Sequence, residues 1–276
     1  MARVLVLALL SGVSYLTAAD TVTHAWEVID RGVKSGDFER RIQTLVSISA
    51  IDGANREAVR RVVDALKNDK DARVRQQAAL ALGQMKATST IPDLRAALDD
   101  KGEVAFAAAK ALTDLGDPSG RDTLIAVLAG ARKTNPGMMT NAVREAQHRM
   151  KHPEGMILMG ADAAAGSMFG PAGMGLTALE QTAGLHSKGS PARAAAVAYL
   201  EKDPDPYAVT LLEWALEDES RMVRIQAAKG LARRGNAASI AKLEPLLEDD
   251  HNAVRTMAAA AIIQLSSNAN QAGRGR

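Results

Sequence analysis

The chain has 276 residues and no cysteine among them. A disulfide framework, a lipid-attachment cysteine and a thiol nucleophile are all excluded, and a thiol-free chain is compatible with an oxidising envelope compartment. Aromatic residues are only 3% of the total, too few for a β-sandwich or barrel. No stretch alternates convincingly enough to read as a strand. Charge of one sign is scarce too: the formal net charge is +2, falling to +1 without the first residues, which carry Arg3. That is little for a nucleic-acid-binding surface, and leaves room only for a local basic patch. A phosphate-cradling glycine loop and a G-x-S-x-G elbow are missing as well. No catalytic constellation and no cofactor are expected.

What the chain has instead is a repeat. In Asp69 to Leu98 a helix opens at Val74-Arg75 and carries Ala78, Ala79, Ala81 and Leu82 on one side. Gly83 is expected to end it, and a second helix with Leu94 and Leu98 follows. The same offsets return at Val223-Arg224 with Ala227, Ala228 and Leu231, at Val254-Arg255 with Ala258, Ala259, Ala261 and Ile262, and at Ala192-Arg193 with Ala196, Val197 and Leu200. Arg193, Arg224 and Arg255 are spaced by 31 residues, the period of two short helices and two turns. Looser copies lie at Arg40-Arg41 to Leu66 and Glu103 to Leu128, and the weakest at Ala142-Val143-Arg144, where Gln147 and His148 replace small apolar residues. A hairpin of this size cannot bury its own apolar faces, so the pattern predicts an all-α superhelix, an α-solenoid of stacked hairpins. Consecutive alanines let helix axes approach closely, and leucines of the second helix fill the space between layers. Asp69, Asp218 and Asp249 each stand six residues before a repeat arginine: Arg75, Arg224 and Arg255. These predict helix caps or a ladder of bridges to the arginine of an adjacent repeat.

The signature D-x-x-x-x-V-R-x-x-A-A-x-A-L-G, best carried by Asp69 to Gly83, resembles the HEAT repeat family, in particular its short form in phycobilisome lyases. The resemblance runs from about Trp26 to Leu265, with a poor region between Lys151 and Gly189. It implies a fold, and a choice among scaffolds, adaptors, lyase chaperones and a few enzymes.

Residues 1–19 have the layout of a secretory signal peptide: Arg3, an apolar run from Val4 to Leu10, and small residues before cleavage after Ala19. The expected divisions are then HEAT-like repeats over 20–150, an irregular Gly/Met-rich insert over 151–190, repeats again over 191–266, and a disordered polar tail over 267–276. Trp26 is expected to lid the exposed first layer. Arg56, Arg60, Arg61 and Lys67 predict a solvated basic face. Function is looked for in the long loop of residues 131–139, with Asn135, Met138 and Met139 as contact candidates. Trp214, beside Leu212 and Leu216, suits core packing, with partner contact as the alternative. His148 and His152 share a helix face and are weak metal candidates, for Arg149 replaces the glutamate of H-E-x-x-H and Pro153 follows at once. His24, His186 and His251 read as isolated surface residues.

The expected function is an exported scaffold or adaptor, periplasmic or extracellular, that docks a protein partner on the concave face of the solenoid. No nucleic acid is expected as partner, nor a stable membrane span after signal cleavage. The alternatives are a chaperone or enzyme of the bilin-lyase type and a HEAT-like nucleic-acid binder. All this supposes repeats piled in chain order, with the first and last thirds of the chain out of contact.

Overall fold

A computed structural model describes residues 18–128 and 190–274. Among them every regular element is helical. The first part holds α1 (Ala18–Val33), α2 (Phe38–Ile48), α3 (Arg56–Asn68), α4 (Ala72–Gln84), α5 (Ile91–Ala96), α6 (Gly102–Asp114) and α7 (Pro118–Leu128). The second holds α8 (Ser190–Leu200), α9 (Tyr207–Ala215), α10 (Arg221–Arg234), α11 (Ile240–Leu243) and α12 (Asn252–Arg274).

Side-chain caps fix several starts. Asp37, Asn55 and Asp71 accept from the backbone N–H of Glu39, Ala58 and Arg73, satisfying donors that a helix N-terminus leaves free. The second helices are less regular than the first. α5 is flanked by single 3₁₀ turns, and α11 has four residues before a 3₁₀ stretch that contains Pro245.

Gly83 does not end α4, which runs on to Gln84 before Lys86 turns into the left-handed region at φ 57°. A Cβ on Gly83 would stand 3.0 Å from the Cα of Ala111 in α6. The glycine therefore permits close approach of two helices instead of terminating one.

The first helices of the hairpins, which carry the repeat arginine in every case but α6, form one row in the order α8, α10, α12, α2, α4, α6, each packed on the next. The second helices form the other row: α9 against α8 and α10, α11 against α12, α3 against α2 and α4, and α5 and α7 against α6. Ala78, Ala79, Ala81 and Leu82 are fully buried between layers, as are Ala227, Ala228 and Leu231, with Leu94, Leu243 and Leu247 filling in from the second row.

This order corrects the expectation of a linear pile. The last helix, α12, packs against both α1 and α2, so the first and last thirds of the chain are in direct contact. Hairpin stacking survives because α1 takes the slot that a second helix following α12 would fill. The layer at this seam is thus built from the two terminal helices of the described chain, while among the described residues the outermost layers are α6/α7 and α8/α9. The cause is burial. Ala258 through Ile263 are buried all round α12, and α1 offers Ala25, Val28 and Ile29 as its apolar side; a helix apolar on every side belongs inside a stack.

Two further expectations change with it. Trp26 lids no exposed end: it packs against the core from the seam layer, with the Arg61 guanidinium 4.2 Å above its ring. The tail expected to be disordered continues α12 to Arg274. No breaker intervenes before Gly273, and Ser267 is anchored by accepting from Asn55 Nδ2 at 3.0 Å.

Candidate functional site

The aspartates of the repeat face backwards. Asp69 receives Nε and Nη2 of Arg41 at 2.7 and 3.1 Å, Asp218 those of Arg193 at 3.0 and 3.1 Å, and Asp249 those of Arg224 at 2.8 and 3.2 Å. Arg75 grips Asp100 with two bonds of 2.7 Å. The same carboxylates also accept a backbone N–H two residues on, from Asp71, Ser220 and His251. Each is thus a turn-former and a rung between layers, in the two-pronged geometry that arginine favours.

Electrostatics follow contact. The bonds from Arg75 outweigh burial and hold Asp100 below the usual carboxylate range, while Asp100 in return raises Arg75. Burial pushes Asp249 up, but the His251 amide and Arg224 together overcome it and its pKa ends lowered. The bond from Arg61 likewise lowers Asp30.

The rung is missing at the seam. By register Arg255 of α12 should meet the residue six before Arg41, and that residue is Ser35. Among the described residues, the one hydrogen bond of the Arg255 guanidinium goes to the carbonyl of Asp249. Neutral contacts replace the ion pair. Ser47 and Thr256 hydroxyls meet at 2.9 Å where both are fully buried. Asn252 donates to Gln43 at 3.0 Å, and the Asp52 amide to Gln264 at 2.7 Å. His24 lies 3.1 Å from Glu248 across the same seam, and His251 lies 3.3 Å from Asp249, so neither histidine is isolated.

These groups hold the array together. The basic face of α3 is largely neutralised in place: Arg61 binds Asp30 and Glu57, Arg60 binds Glu57, and Lys67 binds Asp93. Among the described residues no three His, Asp or Glu side chains are grouped to hold a metal ion, and no helix is long and apolar enough to cross a membrane. Asn135, Met138, Met139, His148 and His152 lie outside the described residues.

Apolar exposure is where the surface departs from a plain solenoid. Among the described residues the exposed large apolar side chains are Phe106, Ile125, Tyr199, Tyr207 and Trp214, all on α6 to α9 in the two end layers. The largest exposure is at Trp214, 70%, with Tyr207 at 55% two turns before it on α9. Core packing does not hold for Trp214. Ala208, Leu212 and Leu216 take the inner side of α9, and the seven-residue spacing puts Tyr207 and Trp214 together on the outer one. Leu212 and Leu216 in sequence pointed to burial of that helix, but the face of Trp214 is a different one.

Two rows of helices in layers joined by arginine–aspartate rungs define an α-solenoid. Models of HEAT repeats match residues 33–105, 59–146 and 182–263, more than half of the chain, and the chain belongs to that family. No curated protein sequence matches it. Similar solved structures include human deoxyhypusine hydroxylase in complex with glycerol, 19% identical over 91% of this chain and 98% of that one, at a TM-score of 0.35. The CpcE–CpcF complex of phycocyanin lyase from Nostoc sp. is 19% identical, covering 95% and 100%, at 0.31. An engineered protein is 16% identical, covering 88% and 97%, at 0.28. Likenesses this loose carry no argument about what this chain does.

Proposed function

We propose that this protein is an exported adaptor that holds a protein partner on a face of the solenoid built by its second-row helices, the concave side. The observation that carries this reading is the outer face of α9, where Tyr207 and Trp214 stand in solvent although nothing in the packing of the array requires them there. Large aromatic side chains are the usual anchors of protein interfaces, since they bury much area for few frozen rotors. The commitment of Arg41, Arg75, Arg193 and Arg224 to rungs between layers fits a binding role better than a catalytic one. Export rests on the sequence layout of Arg3, the apolar run and the small residues up to Ala19.

A photo-crosslinking residue placed at position 214, in cells, tests the docking face. It is expected to form a discrete adduct with an envelope protein, whereas the same residue at position 60 on α3 forms none. No adduct from position 214 overturns the docking reading. Mass spectrometry of the protein from the envelope fraction is expected to find an N-terminus at Asp20; an intact Met1 on a protein that stays in the cytosol overturns export.

A further inference from the structure

We infer that the outer face of α9 receives a basic, apolar-studded segment of the partner, an arginine- or lysine-rich peptide stretch. The inference rests on the docking reading above and adds the chemistry of what docks. Its basis is the charge around the aromatic pair. From Asp203 to Ser220 the chain carries Asp203, Asp205, Glu213, Glu217, Asp218 and Glu219, with no lysine, arginine or histidine.

The repeat itself uses some of these acids. Asp218 and Glu219 take Arg193, and Glu213 accepts from Ser239 at 2.7 Å. Asp203, Asp205 and Glu217 remain. The first two accept the backbone N–H of Asp205 and Tyr207 at 2.9 Å. Although the Arg234 guanidinium donates to the backbone carbonyls of both, among the described residues none of the three carboxylates forms an ion pair. Asp205 leads into the helix that bears Tyr207, and Glu217 lies one turn beyond Trp214. The aromatic stripe is therefore bracketed at both ends by carboxylates with capacity to spare.

The two features call for the same ligand. Carboxylates at each end of a stripe draw cations from solution, and the indole face of Trp214 offers a guanidinium or ammonium a second, quadrupolar attraction. The protein shows this pairing within its own fold, where Arg61 lies over Trp26 and Arg73 lies 3.7 Å from the ring centroid of Phe38. Tyr207 and Leu211 supply apolar area between the charged ends. A partner segment rich in acids is repelled, and one without charge forgoes the rim.

The test uses the full mature chain and two fluorescein-labelled decapeptides, one alternating leucine with arginine and the other alternating leucine with glutamate, read by fluorescence anisotropy at low and physiological salt. The arginine peptide is expected to bind and to weaken severalfold as salt rises, and the glutamate peptide not to bind. Trp214→Ala is expected to weaken binding of the arginine peptide at least tenfold, and Glu217→Lys about fivefold with a flatter salt dependence. Both positions are exposed and outside the rungs, so unchanged melting of the variants shows that the loss is local. Absence of binding, equal binding of the two peptides, or equal affinity of the parent and both variants overturns the inference. So does sedimentation showing a dimer that Trp214→Ala dissolves, which assigns the face to a second copy. The docking reading fails separately: an adduct from position 214 without arginine-peptide binding keeps the docking face and removes the basic ligand, whereas loss of both removes the two together.

Discussion

The seam and the other junctions of the first row are built from the same helix type yet held by different means. Between α8 and α10, α10 and α12, α2 and α4, and α4 and α6, a two-pronged arginine–aspartate rung crosses from layer to layer. Between α12 and α2 the rung is absent and neutral side chains take its place: Ser47 with Thr256, Gln43 with Asn252, and Gln264 with the Asp52 amide. Apolar burial does not distinguish them, for Ala258, Ala259 and Ala261 of α12 and Leu45, Val46 and Ile48 of α2 are as buried as the inner residues of the other layers. Close apolar packing is thus sufficient to stack layers, and the rungs add geometry and a carboxylate pH dependence that the contact of α12 with α2 lacks.

The largest effect that this comparison predicts comes from removing the seam. A chain ending at Asp250 loses the helix on which α1, α2 and α10 all pack, and melting followed by circular dichroism should lose its cooperative transition in both halves. A first half that still melts cooperatively would show that the seam is dispensable. Next is a rung. The Arg41 and Asp69 side chains are only 7% and 11% exposed, so Asp69→Ala leaves a buried guanidinium and should cost about 3 kcal/mol in denaturant unfolding.

Acid should separate the two kinds of junction without mutation. Asp100 and Asp249 have folded-state pKa values below the ordinary carboxylate range. Their contribution is therefore complete above that range and fades as pH falls through the folded values. Hydrogen exchange at falling pH should show α4, α6 and α10 loosening before the contact of α12 with α2. Smaller is Thr256→Val, which removes one partner of a buried hydroxyl pair while Ser47 keeps the Gln43 carbonyl at 3.0 Å; about 1 kcal/mol should be lost. Smallest is a gain. Ser35→Asp supplies Arg255 with the carboxylate that its register lacks and should stabilise the fold by about 0.5 kcal/mol at neutral pH, since the site is partly exposed.

Much of this was legible in the sequence because packing is repetitive. Alanines at the inner offsets and aspartates six residues before arginines state the layer, its neighbour and the class of fold. Chain order within the stack was not legible, since every layer presents the same apolar face and a repeat pattern does not say which ends meet. Signals for the seam were nonetheless present. Ser35 stands where the ladder asks for aspartate, Thr256 and Ser47 put hydroxyls among alanines, and the run from Ala258 to Ile263 is apolar on every side. The last of these marks a helix covered all round, which no terminal layer can be. Gly83 misled for a related reason, because a helix-ending glycine and one that admits a neighbouring helix look alike in sequence. The exposed Trp214 was hidden by Leu212 and Leu216, whose burial belongs to the opposite side of α9.

The meeting of the first and last helices of the described residues is the claim on which the rest depends, and the absence of native cysteine makes it simple to measure. His24→Cys and Glu248→Cys, spin-labelled and read by pulsed electron paramagnetic resonance, report directly on residues whose side chains lie 3.1 Å apart. The seam predicts one narrow intramolecular distance below about 20 Å, whereas layers piled in chain order at about 10 Å each would separate the labels by more than about 40 Å. A long or concentration-dependent distance would contradict the account.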